Sequence, residues 1–316
     1  MKTHIAKANS IIHGDCIDVI PHIERDSIAL SFWSPPYHVG KEYEIGQSFE
    51  EWRTMIFKVI ALHHGCLKPG GFLVVNIADI LCFPDSSLPR IQFANISQHR
   101  SFITKEQVVA AKNKHPDYNR NQLAKILGCS EQTIDRRLHG NNIRGGKYNT
   151  QTKVKLVGHY IEQAGVEAGL HLYDHRIWVK DPTWANSQWH SSSYRAVSEY
   201  EDLYVLWKPG ETLVDRAKLR DSEWSEWGSR QVWYIRSVRK NNDHPAKYPE
   251  ELATKVIRLY SFPDDTVLDP FLGSGTTAVA AIKNQRRYIG IEKMEKYFNI
   301  AEQNIAEAKH DLFYKK

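Results

Sequence analysis

The sequence predicts an α/β fold: a buried, mostly parallel sheet interrupted by a helical insertion. Three observations carry that expectation. Two apolar runs, 27–33 (SIALSFW) and 72–77 (FLVVNI), lack the polar alternation of a half-exposed strand and flank a helix-length segment. A unit of strand, glycine-rich loop, helix and strand follows near the carboxyl end, over 266–292. Between these halves lies a polar, basic stretch patterned as short helices. The 316 residues suit one large domain with a modest insertion. A composition of 41% hydrophobic and 25% charged residues excludes disordered, collagen-like and membrane-embedded classes.

The elements follow in order. Ile11 and Ile12 before Gly14 and Asp15 open a strand and turn, and a helix leads to the run 27–33. That run must stop at Ser34, Pro35, Pro36 and Tyr37, because two prolines remove two amide donors and fix two φ angles, leaving a rigid loop. A helix over roughly 49–64 comes next, then a turn at Lys68, Pro69, Gly70 and Gly71 into the strand 72–77. The alternation breaks after about Ala78, and 84–90 reads as loop.

In the basic stretch, 121–138 fits two short amphipathic helices joined at Gly128, with Ser130 capping the second. Leu123, Ile126, Ile134 and Leu138 are expected to pack the pair. From 100 to 155 there are 12 Lys or Arg against 4 Asp or Glu, so this stretch carries +8 while the rest of the chain carries −3. A local positive field favours a polyanion, because each neutralised phosphate releases condensed counterions. The pattern resembles a helix-turn-helix, whose second helix enters a major groove. Gln132, Thr133, Arg136, Arg137, Arg144 and Lys147 are then the candidates for base or phosphate contact. A helical hairpin with a solvated basic face is the alternative.

Strands resume at 175–180 and 202–207, the second closed by Lys208, Pro209 and Gly210. Between 211 and 242, Trp224, Trp227, Trp233 and Tyr234 interleave with Arg216, Arg220, Arg230, Arg236, Arg239 and Lys240. Such interleaving suits either stacking on nucleic acid or a locally packed lid. A helix over about 250–260, strands at 266–269 and 287–292 around a helix at 278–283, and a closing helix over about 295–310 complete the chain.

The glycines of the loop 269–277 stand where a chain turns sharply and lets a ligand approach its backbone. Glu292, 15 residues beyond Thr277 at the end of the next strand, is placed to accept hydrogen bonds from both ribose hydroxyls of a nucleoside. Neither a Gly-Lys-Ser/Thr ending nor GxGxxG spacing is present, which argues against nucleoside triphosphate and standard dinucleotide sites. Cys16, Cys66, Cys82 and Cys129 form no CxxC pair, so free thiols in a reducing compartment are expected and no metal site is. No run of 18 apolar residues occurs, and no long apolar segment precedes a cleavage-like site, so neither a membrane span nor a secretory signal is expected.

SPPY at 34–37 and DPFLGSGTT at 269–277, with GDC at 14–16 and HPAKYPEELA at 244–253, resemble the motifs of DNA amino-methyltransferases, which use S-adenosylmethionine. The catalytic loop precedes the cofactor loop, as in the beta group, and a Ser at the head of the tetrapeptide resembles the N4-cytosine-specific type found in restriction-modification systems. The resemblance covers nearly the whole chain except the basic insertion and part of the Trp-rich stretch. It implies a Rossmann-like S-adenosylmethionine-dependent methyltransferase sheet, circularly rearranged, with a helical insertion. It assigns catalysis to Ser34, Pro35, Pro36 and Tyr37, with the Ser34 hydroxyl and Pro35 carbonyl accepting amino hydrogens and Tyr37 stacking on a flipped base. Cofactor binding falls to Asp15, Pro245, Lys247, Asp269, Phe271, Gly273, Ser274, Gly275, Thr276 and Glu292, with Tyr248 shaping the pocket and no metal required. His38 and Lys41 are further candidates for positioning phosphate or target.

The implied substrate is double-stranded DNA with a short specific sequence. The implied partner is a cognate restriction endonuclease acting on the same sites without a stable complex, in a prokaryotic cytoplasm. On this reading 1–96 is the catalytic half, 97–160 the DNA-recognising insertion and 161–210 the return to the sheet. The segment 211–243 is a DNA-contacting or lid segment, and 244–316 is the cofactor half. Methylation of adenine at N6 on the same fold, and a non-catalytic helix-turn-helix regulator, are the alternatives.

Overall fold

A computed structural model describes residues 6–36, 48–78, 80–84, 87, 91–92, 102–139, 148–149, 152–181, 198–238 and 247–314. The strands are β1 (Ser10–His13), β2 (Ile28–Trp33), β3 (Leu67–Ile77), β4 (Ile80–Pro84), β5 (Ile91–Gln92), β6 (Tyr148–Asn149), β7 (Thr152–Leu156), β8 (His171–Val179), β9 (Tyr200–Trp207), β10 (Val232–Tyr234), β11 (Thr266–Asp269) and β12 (Arg287–Glu292). The helices are α1 (Cys16–Val19), α2 (Phe49–Cys66), α3 (Lys105–Lys114), α4 (Arg120–Leu127), α5 (Glu131–His139), α6 (Gly158–Glu167), α7 (Asp221–Glu223), α8 (Glu250–Tyr260), α9 (Thr276–Lys283) and α10 (Glu295–Tyr314).

Among the described residues, eight strands form one sheet in the order β1-β12-β11-β2-β3-β9-β8-β10. The first five are mutually parallel, and β9 runs antiparallel to both β3 and β8. The last two strands of the chain therefore lie between its first two, which is the circular rearrangement in physical form. β2 and β11 are parallel neighbours, with Leu30 opposite Val267 and Ser31 opposite Leu268, so the loops that follow them leave the same edge of the sheet side by side.

Every residue of β2 is buried because helices cover both faces. On one face Ile28 and Trp33 pack with Trp52, Ile56 and Ile60 of α2 and Ile161 of α6. On the other, Leu30 and Phe32 pack with Leu252 and Val256 of α8, Ala281 of α9 and Ile305 of α10. The turn expected at 68–71 lies inside β3 instead. Leu67 pairs with Ile28 and Phe72 with Leu30, so the intervening residues bulge out. Gly71 permits this, since a Cβ there would meet the Ala29 carbonyl oxygen at 2.9 Å.

The chain divides into two compact units: Met1–Phe83, Val154–His190 and Arg195–Lys316 form the larger, and Pro84–Lys153 with Ser191–Tyr194 the smaller. The smaller span begins earlier and ends sooner than 97–160. Ile161 and Ala164 of α6 are buried against the sheet, so the chain has rejoined the larger unit before α6 begins. In the smaller unit α3, α4 and α5 close on Val108, Leu123, Ala124 and Ile134, with Leu138 partly buried beside them. Ile126, expected in that core, is 51% exposed. The buried face of α4 runs through Leu123, Ala124 and Leu127, and α3 supplies Val108 to complete it. Gly128 takes a left-handed φ of 60° between the helices, and Ser130 Oγ accepts the Thr133 amide at 3.2 Å.

The Trp-rich segment packs locally. Trp227 and Trp233 are buried, and the indole N–H groups of Trp224 and Trp233 donate to the Arg216 and Trp227 carbonyls. Tyr234, at the sheet edge, is exposed. Among the described residues no helix is long and apolar enough to cross a membrane.

Candidate active site

The loops after β2 and β11 line one cavity of about 360 Å³. Ser34, Pro35 and Pro36 form part of its wall, and Phe271, Gly273, Ser274, Thr276 and Glu292 form another, with Asp15 and Lys247 also present. These are the catalytic and cofactor candidates of the sequence, brought together from positions more than 200 residues apart.

The Ser34 loop is held at both ends. Ser34 Oγ donates to the Asn76 carbonyl at 2.8 Å and accepts from Asn76 Nδ2 at 2.9 Å. Trp52, wholly buried in α2, donates its indole N–H to the Pro36 carbonyl at 2.9 Å. Trp33, just before Ser34, packs its ring against Phe271 with centroids 5.2 Å apart, so the two loops share a contact.

Glu292 organises the glycine loop as well as facing the cavity. Its two oxygens accept the Gly273 amide at 2.8 Å and the Met294 amide at 2.7 Å. Burial raises its pKa above the ordinary carboxylate value. Asp269 is not on the cavity wall. It is buried beneath the loop, accepting from the Phe271 amide at 3.0 Å, the Thr277 hydroxyl at 2.5 Å and the Tyr248 hydroxyl at 3.3 Å. Burial pushes it up to about 7 despite these donors. Asp269 thus shapes the loop from behind.

Gly275 is also off the wall and serves as the turn into α9, at a φ of 88°. Asp15 caps α1 through the Ile17 amide and pairs with Lys293 at 2.9 Å. Burial works against its charge, but Lys293 and that amide outweigh it and its pKa is lowered. Cys16, on the cavity wall, is pushed up to about 12 by burial, so it holds its proton.

Tyr37, His38, Lys41, Pro245, Arg144 and Lys147 lie outside the described residues, as does the side chain of Gln132. On α5, Arg136 is exposed. Arg137 donates Nε to the Ile103 carbonyl at 2.8 Å, and the Thr133 hydroxyl pairs with Ser130. Both side chains therefore brace the helical unit.

Sequence reasoning missed Gly14, Ile17, Met55, Lys293, Met294 and Tyr297 on the cavity wall, and Asn76 behind Ser34. A signal existed for some. Gly14 and Lys293 directly follow parallel strands at the edge where ligands bind in such sheets, and Asn76 is the one polar residue in FLVVNI. Met55 carries no such mark.

Residues 28–303 match the model of the N6_N4_Mtase family, described as DNA methylase. The chain is similar to Type II methyltransferase M.BglI of Bacillus subtilis, 58% identical over 299 residues that cover 95% of this chain and 86% of that one. It is 26% identical to DNA adenine methyltransferase YhdJ of Escherichia coli, over 96% of this chain and 85% of the other. Among solved structures, TTHA0409 of Thermus thermophilus, described as a DNA modification methylase and solved with S-adenosyl-L-methionine, superposes with a TM-score of 0.60. Its identity is 22%, over 95% of this chain and 94% of that one. PvuII DNA methyltransferase (cytosine-N4-specific) gives 0.57 at 17% identity, over 99% and 95%. These likenesses establish a Rossmann-like methyltransferase fold.

Proposed function

The chain belongs to the N6/N4 DNA methylase family, and on that footing we propose that it moves a methyl group from S-adenosylmethionine to the exocyclic N4 of cytosine in double-stranded DNA. The observation that carries the reading is the single cavity lined by both Ser34 and Gly273.

The residues present fit the cofactor. The volume of about 360 Å³ lies within the range of small-molecule sites. Glu292 keeps lone pairs beyond its two amide bonds with which to accept ribose hydroxyls. Ser274 and Thr276 stand at the amino end of α9, whose unpaired amides favour the amino-acid carboxylate. Phe271 and Tyr297 offer flat apolar walls. When bound, S-adenosylmethionine supplies an electrophilic methyl on a positively charged sulfur.

The chain's own residues address the other difficulty. The amino nitrogen of cytosine is a poor nucleophile because its lone pair is delocalised into the ring. Ser34 Oγ and the Pro35 carbonyl accept its hydrogens and favour a more tetrahedral nitrogen, an interaction that strengthens as positive charge develops there. Tyr37 stacks on the base after it is flipped from the duplex. The mechanism needs no thiolate, in keeping with the protonated Cys16. Thr133, Arg136 and Arg137, with Gln132, Arg144 and Lys147, make the DNA contacts of the helical unit. Similarity to a type II methyltransferase supports host protection beside a restriction endonuclease in a bacterial cytoplasm.

The test is to incubate protein, DNA and labelled S-adenosylmethionine, digest the DNA and separate the nucleosides. N4-methylcytosine is expected. N6-methyladenine alone, the product suggested by the name of the Escherichia coli relative, would overturn the base assignment, and absence of label would overturn the activity.

A further inference from the structure

We infer that Asn76, held by a buried pair of Glu201 and Lys180, is the positioning residue that makes the Ser34 hydroxyl an acceptor toward the target amino group. The inference rests on the amino-methylation reading above. Asn76 is wholly buried near the end of β3, opposite Leu203 of β9. Glu201 lies two residues before Leu203 and so on the same face. The amide Nδ2 of Asn76 donates to Ser34 Oγ at 2.9 Å and to Glu201 Oε2 at 2.7 Å. The second oxygen of Glu201 accepts from Lys180 Nζ.

The polarity of this chain is determined by its charged end. An ionised carboxylate only accepts, so the nitrogen end of the Asn76 amide must face Glu201 and with it Ser34. Lys180, whose side chain is 15% exposed, pairs with a Glu201 side chain that is 7% exposed and so fixes the charged end of the chain. Ser34 has one hydrogen, and it goes to the Asn76 carbonyl at 2.8 Å. Toward a third group the hydroxyl therefore accepts. A base presenting N–H is matched, and one presenting a carbonyl or bare ring nitrogen is rejected. With a neutral amide at 201 the Asn76 side chain is free to turn its oxygen toward Ser34, compete for the hydrogen and erase that preference.

The experiment compares wild type with Asn76→Ala, Glu201→Gln, Lys180→Met and Lys180→Arg in steady-state methyl transfer, cofactor titration and thermal melting. The first three are expected to lower kcat by about tenfold, as for loss of one oriented hydrogen bond, with KM for DNA and cofactor Kd unchanged. Lys180→Arg is expected to restore wild-type kcat. In a Ser34→Ala background, Asn76→Ala is expected to add nothing, because it acts through Ser34. Unchanged kcat in Glu201→Gln and Lys180→Met, or an additive double variant, would overturn the assignment while leaving wild-type activity intact. Wild-type protein that methylates no amino group would overturn the parent reading and this one with it.

Discussion

On the proposed mechanism, replacing Ser34 by Ala removes one acceptor at the reacting nitrogen and leaves the Pro35 carbonyl in place. The hydroxyl's bonds to Asn76 are lost, but Trp52 still anchors the loop through the Pro36 carbonyl, so the fold survives and the loss falls on the transition state. The expected outcome is a kcat lower by roughly 10²-fold, the usual scale for one preorganised group, with cofactor Kd unchanged in calorimetry. The pH dependence of stability is also decided by single residues. His63 is wholly buried, donating Nδ1–H to the Val59 carbonyl at 2.7 Å with Nε2 toward Ser31 Oγ at 2.9 Å, and burial lowers it from 6.5 to about 4. The folded state thus binds its proton less readily than the unfolded state does. Its contribution is full above pH 6.5 and is lost as pH falls through about 4. Asp269 has the opposite sign: raised from 3.8 to about 7, it contributes fully below pH 3.8 and loses that contribution as pH rises through 7. Urea denaturation between pH 4 and 8 is expected to show a flatter acid side in His63→Gln and a flatter neutral side in Asp269→Asn.

At the scale of the element, the turn from β11 into α9 depends on Gly275. Its φ of 88° is left-handed, and a Cβ there would stand 3.2 Å from the Ala301 Cβ in α10. Gly275→Ala is expected to destabilise the protein by about 1–3 kcal/mol and to weaken cofactor binding, since Ser274 and Thr276 flank the displaced peptide. Thermal melting with and without S-adenosylmethionine checks both effects, and an unshifted midpoint would remove the turn from the account. This unit was the most legible part of the sequence. The strands at 266–269 and 287–292 lie where the periodicity put them, because strand, glycine loop, helix and strand is a local pattern. What the sequence hid is non-local. The bulge at 68–71 follows from pairing with β2, which no window of residues contains. Ile126 looked like core because α3, with Val108 as its buried side chain, carries little amphipathic signal to show which face of α4 it covers. The site divides the same way: Ser34 and Gly273 sit in motifs and Glu292 ends the strand after one, whereas Asn76 and Trp52 act through contacts that only the folded sheet creates.

Across the whole molecule the charge is unevenly shared, and on the proposed reading that asymmetry separates affinity from chemistry. The stretch 100–155 carries +8 and the remainder −3, so on the proposed reading electrostatic attraction to DNA resides chiefly in the insertion, while the cavity sits in the larger unit. Within α4 and α5 part of that charge is already spent internally: Arg120 pairs with Asp135 at 2.5 Å, and Arg137 holds the Ile103 carbonyl. Arg136 is exposed on α5 and gives the cleaner test, because Arg137→Ala would also loosen the helical unit. If Arg136 meets a phosphate, Arg136→Ala releases one fewer counterion, and the slope of log K against log salt is expected to shrink by about 0.9. The loss of affinity is then similar for cognate and unrelated duplexes, whereas a base contact would weaken cognate binding alone by about 1–3 kcal/mol. Fluorescence anisotropy at several salt concentrations distinguishes these outcomes, and kcat at saturating DNA is expected to stay at the wild-type value under either. A variant whose slope and affinities all match wild type would remove α5 from the DNA interface.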